Sequence, residues 1–599
     1  MASRDRQRLR LLLPYIRRER RRLTLSLVLL IPVALAAAVQ PLLVGQAISV
    51  LRHEPTLAWL TGQSVAQALR TLVGLLLFAV LVRLALQGVQ TFNIQVVGQR
   101  LTARIRDDLF SHALALSLRF HDRTPVGKLL TRLTSDVDAL AEVFGSGAIG
   151  VLADLVTLLV IATTMISIEH RLGVLLLAIQ VPVTFAIVWL QGRYRKANYR
   201  VREELSQLNA DLQENLQGLE VVQMFRREAF NGAQFATTAQ AYRKAVDGTI
   251  FFDSAISALI EWVALVAIAV VLALGGVMVD GGSMGLGTLT TFILFSQRLF
   301  DPLRQLAERF TQIQGGLTAI QRIDELMEQP IEIADLPDSQ RSTAALRSGG
   351  ERASAGEVAF ENVSFAYRSD DPILTDLSFH IAAGEHVALV GPTGSGKTTV
   401  IRLLCRLYEP QQGRILLDGI DIRELPLSTL RQRLGVVLQD TFLFSGNVAD
   451  NLRLDAPIDD AELGRLCHDL GLDSLLERLP DGLETELRER GGNLSSGERQ
   501  LLSVVRVAIR NPSVLIMDEA TAFLDPSTEA TLQRDLDTLL SERTAIVIAH
   551  RLATVEAADR ILVLRKGRLI EQGTHLQLRA DGGLYAQLAD LQERGLARL

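Results

Sequence analysis

The sequence predicts two parts of different class: a membrane α-helical domain of six spans, then an α/β domain built around a phosphate-binding loop. Three observations carry this. Six apolar stretches fall in the first 300 residues, near 23–48, 69–91, 146–168, 172–192, 255–279 and 284–300. Each is close to the ~20 apolar residues that cross hydrocarbon. In the second half, Gly391-Pro392-Thr393-Gly394-Ser395-Gly396-Lys397-Thr398-Thr399 follows the apolar run His386 to Val390 and precedes Val400 to Tyr408. Strand, glycine-rich loop and helix is the context such a loop needs. From Glu357 onward the pattern turns to short strands, Val358 to Phe360, Val363 to Tyr367 and Leu377 to His380.

Composition agrees with this division. Hydrophobic residues are 48% of the 599 and charged residues 22%, with a mean hydropathy of +0.23. A chain of this length exceeds a single core. The net charge of −5 gives no reason to expect a nucleic-acid partner. The two cysteines, Cys405 and Cys467, form neither a metal spacing nor a disulfide framework.

Residues 1–22 are basic, with Arg4, Arg6, Arg8, Arg10, Arg17, Arg18, Arg20, Arg21 and Arg22. The apolar run that follows is too long for a signal peptide. The charge predicts a cytoplasmic N-terminus, with Leu9 to Ile16 lying in the membrane interface. Residues 23–326 form the membrane domain, with Pro32 and Pro41 in the first span. The connections after the second and fourth spans are long, polar and basic, so both hairpins are expected in the cytoplasm. At the first tip, Thr124 is expected to cap a helix that begins at Pro125 and runs through Leu129, Leu130, Leu133 and Val137. The second tip carries Gly218 to Arg226. Both suit docking onto a soluble domain. Arg83, Asp154, Glu261 and Gln180 are polar groups in or near the spans. Arg83 is expected to pair with Asp154 or Glu261, or else these groups line a substrate path, because charge in a membrane needs a partner or a cavity. Residues 327–356 read as a linker, and 357–599 as the nucleotide domain.

In the loop, glycines let backbone N–H groups turn around a phosphate. Lys397 can reach the β- and γ-phosphates of ATP, and the Thr398 hydroxyl can hold Mg2+. The apolar strand Val514 to Met517 ends in Asp518 and Glu519. Asp518 is placed to organise Mg2+, and Glu519 to act as general base on the attacking water. Leu494 to Gln500 opens a helix whose amides and serine hydroxyls can bind an anion. Val547 to His550 is a strand ending in a histidine placed for a γ-phosphate, and Gln439 follows the strand Gly435 to Leu438.

Together these motifs resemble the nucleotide-binding domain of ABC transporters, and the first half resembles the six-helix membrane domain of ABC exporters of the multidrug and lipid-flippase group. The resemblance covers nearly the whole chain. It implies an α/β P-loop ATPase of ABC type and ATP-driven export or flipping. The substrate would be a hydrophobic drug, lipid or peptide, among which the sequence does not choose. It also implies roles by position. Tyr367 would stack on adenine, Gly391 to Thr399 would form the phosphate loop, and Gln439 would link Mg2+ to the membrane domain. Ser495, Ser496 and Gly497 would contact ATP held on the opposite subunit. Glu519 would be the base, His550 the switch histidine, and Asp525 part of the dimer interface. Residues 124–138 and 218–226 would be the two coupling helices. Mg2+ would be held by Thr398, Gln439 and Asp518. The partner would be a second half-transporter, identical or paralogous. Three departures stand out. Ser496 and Glu498 replace the usual Gly and Gln, Phe523 replaces a small residue, and Arg488 replaces a frequent Gly. They tilt the expectation toward a heterodimer.

Overall fold

The computed structural model describes residues 13–337, 355–368, 370–439, 441–454, 456–518, 543–548 and 552–596. It divides into two units. One comprises Met1–Leu114 and Val126–Gln329, the other Ala115–Pro125 and Pro330–Leu599.

In the first unit the apolar runs are helices, because hydrocarbon offers no water to satisfy backbone N–H and C=O groups. Among the described residues, five helical stretches are long and apolar enough to span: Arg20–Leu51, Val65–Ala115, Ala148–Ile168, His170–Gln217 and Glu228–Asp280. The first is interrupted at Leu29, with Pro32 in the opening turn of Leu30–Leu51 and Pro41 inside it. The sixth span is made of two pieces. Leu286–Leu299 has only 14 residues, and after Phe300 the helix resumes as Asp301–Met327 with a proline in its first turn. Gln180 Nε2 donates to the Leu299 carbonyl at this break, 3.5 Å away. Three helices greatly overrun a bilayer. Those of 51, 48 and 53 residues reach about 70–80 Å at about 1.5 Å per residue, against about 30 Å of hydrocarbon. Their excess forms the two long hairpins.

The first hairpin differs from expectation. Thr124 closes a six-residue helix, Leu118–Arg123, with extended φ −114° and ψ 115°. Helix resumes at Val126–Thr131, passes through π turns at Arg132–Asp136 and Val143–Gly147, and continues as the third span. Pro125 explains the division, since a proline drives the residue before it out of the α region. The expected helix through Leu129, Leu130, Leu133 and Val137 is present from Val126, whereas Thr124 ends a separate short helix at the tip, Leu118–Arg123.

The expected partner of Arg83 is also corrected. Asp154 pairs with Arg309, whose Nε lies 3.2 Å from its carboxylate. Gly150, one turn before Asp154, makes this possible: a Cβ there would sit 1.3 Å from Arg309 Nη1. Arg83 Nη1 instead donates to Gln40 Oε1 at 3.3 Å, and Glu261 lies on an exposed face.

The unit's core gathers Phe292, Phe295, Met165 and Leu176, all fully buried. Helices Leu30–Leu51 and Leu286–Leu299 approach through glycines. A Cβ on Gly287 would lie 2.3 Å from the Gly45 carbonyl and 2.0 Å from Ser49 Oγ. Glu54 then caps the second of these helices, accepting from Leu286 N at 2.8 Å and Gly287 N at 3.2 Å. A carboxylate here satisfies orphan donors and meets the positive dipole end.

The second unit holds two main sheets. β1 (Val358–Arg368) pairs antiparallel with β2 (Asp371–Ile381) and β4 (Gln412–Leu417), and β4 with β5 (Ile420–Asp421). The strands expected at 358–360 and 363–367 are one strand, β1, with an irregularity between Phe360 and Val363. The larger sheet is built on β3 (His386–Val390), β6 (Leu434–Val437), β9 (Val514–Asp518), β10 (Thr544–Ile548), β11 (Arg560–Arg565) and β12 (Arg568–Gly573). Its order is β12-β11-β3-β10-β9-β6. All neighbours are parallel except the edge pair β11–β12. The carboxyl ends of β3 and β9 thus share one edge, where ligands of open α/β sheets bind. A two-stranded ribbon, β7 (Gly446–Asn447) with β8 (Glu486–Leu487), completes the unit. The start of the expected linker is anchored here, since Asp335 Oδ1 accepts from Leu427 N at 2.7 Å.

Two substitutions test the packing of the first unit. Glu54→Ala is expected to lower the stability of the detergent-solubilised chain by about 1 kcal/mol, read as a fall in thermal midpoint, with Glu54→Gln losing less. Gly287→Val is expected to cost more, because its side chain meets backbone and has no space to relax into.

Candidate functional site

The phosphate loop joins β3 to the helix Lys397–Leu404. Gly394 and Gly396 have φ of 79° and 103°, a left-handed backbone that glycine adopts without strain. At Gly396 a Cβ would meet Leu374 Cδ2 at 2.6 Å. Lys397 Nζ donates to the Gly391 and Pro392 carbonyls at 2.7 and 3.2 Å, so the ammonium lies across the loop. Ser395 Oγ is buried with no hydrogen-bond partner among the described residues. A buried hydroxyl left so is costly. With the inward-turned glycine backbone and Lys397, it makes a cradle suited to a phosphate.

Thr398, Gln439 and Asp518 line one cavity of about 570 Å³. Their sequence separation is large, and the parallel order β3-β10-β9-β6 brings together the residues that follow or end β3, β9 and β6. All three offer oxygen, the donor Mg2+ prefers. Among the described residues no cluster of three His, Cys, Asp or Glu could hold a metal. A Mg2+ here would need phosphate and water ligands to complete its shell, as is usual for this ion. Glu519, His550, Phe523 and Asp525 lie outside the described residues.

The motif Leu494 to Gln500 opens the helix Ser496–Ile509 with Ser495 as N-cap. Ser495 Oγ accepts from Glu498 N at 3.2 Å, and Glu498 Oε2 accepts from Ser495 N at 2.8 Å. This capping box explains Glu498, whose other oxygen is 3.1 Å from Arg478. The spacing Ser-x-x-Glu was the signal for it in the sequence. The Ser495 hydroxyl keeps its own proton to donate to an anion. Arg488 is unstrained at φ −71°, while the left-handed residues are Arg490 and Gly491. A glycine is therefore not required at 488.

The Tyr367 hydroxyl lies 3.2 Å from Thr399 Oγ1, and its ring packs edge-on to Phe365 and Tyr408. The hairpin segment Ala115–Pro125 belongs to this unit and touches the same residues. Leu118 packs on the sheet core. Arg123 Nη2 donates to the Tyr367 carbonyl at 3.0 Å. The Tyr408 hydroxyl donates to Asp122. Burial first, then this carboxylate, raises the Tyr408 phenol above its usual range. No sequence signal marked Asp122 or Arg123, because contacts between residues 244 and 286 positions apart leave no local pattern.

Both thiols are buried. Burial pushes Cys405 up to about 12, against a smaller opposing effect of Arg431. Burial, aided by Asp473, pushes Cys467 up to about 11.

With this geometry in hand, comparison with known proteins is informative. A family model described as the ABC transporter transmembrane region matches residues 23–303, and one described as ABC transporter matches residues 374–522. An uncharacterized ABC transporter ATP-binding protein, YknV of Bacillus subtilis (strain 168), is 36% identical over 83% of this chain and 81% of its own length. The probable multidrug resistance ABC transporter ATP-binding/permease protein YheH of the same organism is 34% identical over 87% of this chain and 76% of its own. The solved structure of a bacterial Atm1-family ABC exporter with ATP bound superposes with a TM-score of 0.75 at 29% identity, covering 96% of this chain and 98% of that one.

Two measurements follow from the site. Tyr367→Ala is expected to raise KM for ATP about tenfold, the scale of one lost base–aromatic stack, whereas Tyr367→Phe should change it little. Cys405 and Cys467 are expected to resist N-ethylmaleimide in the folded chain at about pH 7.5, since the thiolate is the nucleophile. Mass spectrometry should find both modified only after unfolding in detergent.

Proposed function

We propose how this chain, which belongs to the ABC transporter family, couples ATP to movement of its substrate. It is a multi-pass membrane protein and one half of an ABC exporter, with an ATPase coupled to transport. Our reading is that it exports or flips a hydrophobic or amphipathic molecule, with the hairpins and nucleotide domain on the cytoplasmic side. The relative named as a probable multidrug resistance protein supports that substrate class.

The observation that carries the reading is the hairpin segment Ala115–Pro125, held in the nucleotide unit by Leu118, Asp122 and Arg123. Any displacement of the nucleotide domain is thereby handed to the helices on either side of the segment. A second half-transporter, identical or paralogous, would complete the machine. Two apolar patches support this: Val221, Met224 and Phe225 at the second hairpin tip, and Leu438, Phe442 and Phe444 on the nucleotide unit, are exposed in the single chain.

In this reading Tyr367 stacks on adenine, while residues 391–399 and Lys397 hold the phosphates. Ser495, Ser496 and Gly497 of one chain contact the ATP held by the other. ATP then binds the closed pair better than the open one, and only such differential affinity can drive closure. Glu519 takes a proton from the attacking water, and His550 contacts the γ-phosphate. Thr398, Gln439 and Asp518 are the residues that would hold Mg2+, which when bound neutralises charge on the phosphates.

The test is ATPase activity of the chain purified alone in lipid bilayers, with and without Mg2+. Glu519→Gln is expected to lower kcat by about 100-fold or more, the scale of a lost general base. Hydrolysis undiminished in that variant would sink the assignment. Hydrolysis by the unmodified chain alone assigns a homodimer, and ATP binding without hydrolysis assigns a paralogous partner.

A further inference from the structure

The side chain of Tyr367 is held on several sides. Arg402, on the helix that follows the phosphate loop, donates from Nη1 to the Tyr367 hydroxyl at 3.4 Å. Its guanidinium carbon lies 5.9 Å from the ring centroid. Thr399 Oγ1 is 3.2 Å from the same hydroxyl. Phe365 and Tyr408 pack edge-on against the ring, with centroids 4.9 and 5.1 Å away. Tyr367 itself remains half-buried.

Two adjacent residues of the tip helix Leu118–Arg123 hold this cluster from its other end. The Tyr408 hydroxyl donates to the Asp122 carboxylate. Burial and then Asp122 raise the Tyr408 phenol, so it stays protonated and keeps donating. Arg123 Nη2 donates to the Tyr367 carbonyl at 3.0 Å. One tip residue thus fixes the main chain of Tyr367, and its neighbour fixes a ring that flanks it. Leu118 gives the tip its own anchor in the sheet core. An aromatic platform that is already ordered loses less conformational freedom when a base stacks on it, so the base binds more tightly.

We infer that Asp122 and Arg123 are positioning residues for Tyr367, so that the hairpin tip sets the affinity for the base of the nucleotide. The inference rests on the stacking of adenine on Tyr367 proposed above, and adds to it a route that does not pass through the γ-phosphate. ATP and ADP share the base, so both feel the tip alike. Closure that depends on ATP would separate the two. The effect is also reciprocal. If a docked tip tightens nucleotide binding, the nucleotide must hold the tip by the same factor.

The first measurement is displacement of radiolabelled ADP from the full chain in lipid bilayers, in the Glu519→Gln background, by ADP, ATP or inorganic tripolyphosphate. Asp122→Ala and Arg123→Ala are each expected to weaken ADP and ATP about fivefold, the scale of one hydrogen bond, and to leave tripolyphosphate within about twofold. In the Tyr367→Ala background the same substitutions should add almost nothing, because their effect runs through that ring. A loss that persists in that background overturns the inference. Weakened ADP binding in Tyr367→Ala, with normal binding in the Asp122 and Arg123 variants, overturns it while the stacking reading stands. Unchanged ADP binding in Tyr367→Ala sinks the stacking reading and the inference with it. The second measurement, hydrogen exchange of the unmodified chain, needs no variant to fold. Saturating ADP is expected to slow exchange of the amides of residues 118–124 about fivefold, and saturating tripolyphosphate to leave it unchanged. Equal slowing by both, or by neither, overturns the inference.

Discussion

The contact that holds the hairpin tip in the nucleotide unit is small. One short helix, Leu118–Arg123, interrupts the path between two membrane helices and folds against the sheet of the nucleotide unit. Its hold combines a buried leucine with two bonds of different kind. Tyr408 donates to a carboxylate, and Arg123 donates to the carbonyl of the residue expected to meet adenine. A hydrogen bond to a charged group contributes about 1.5–3 kcal/mol, more than an ordinary one. Arg123 thus holds the main chain of β1 at Tyr367, near the end of that strand.

Electrostatics sets the character of the membrane part. Arg309 crosses a glycine to reach Asp154, while Arg83 and Arg298 share an uncharged glutamine, Gln40.

Much of this was legible in the sequence, and the exceptions have physical causes. The strand His386–Val390 was readable because a buried parallel strand is a continuous apolar run. The glycine loop was readable because its backbone conformation demands glycine at fixed positions. All six spans followed from apolar length, and the sixth, 284–300, is a helix of only 14 residues, interrupted at Phe300 just before Asp301-Pro302. The partner of Asp154 was not readable: Arg309 lies beyond that break, and nothing local ties it to the third span. The short tip helix escaped because Thr124-Pro125 is both the end of one helix and the approach to the next. Glu498 looked anomalous when judged as a ligand position, and its capping role was visible in the four-residue spacing. For Glu519 and His550, the expectation stands on sequence pattern.

The carboxylate of Glu54 has a mechanical implication. It ties the loop after the first span to the first turn of the sixth, just where Gly45 and Gly287 bring the two helices into backbone contact. Sliding or splaying these helices would strip a carboxylate from two amides and open a close-packed seam. They therefore travel as one strut, and the compliance that alternating access needs must be found at the Leu29 and Phe300 interruptions or between this strut and its neighbours.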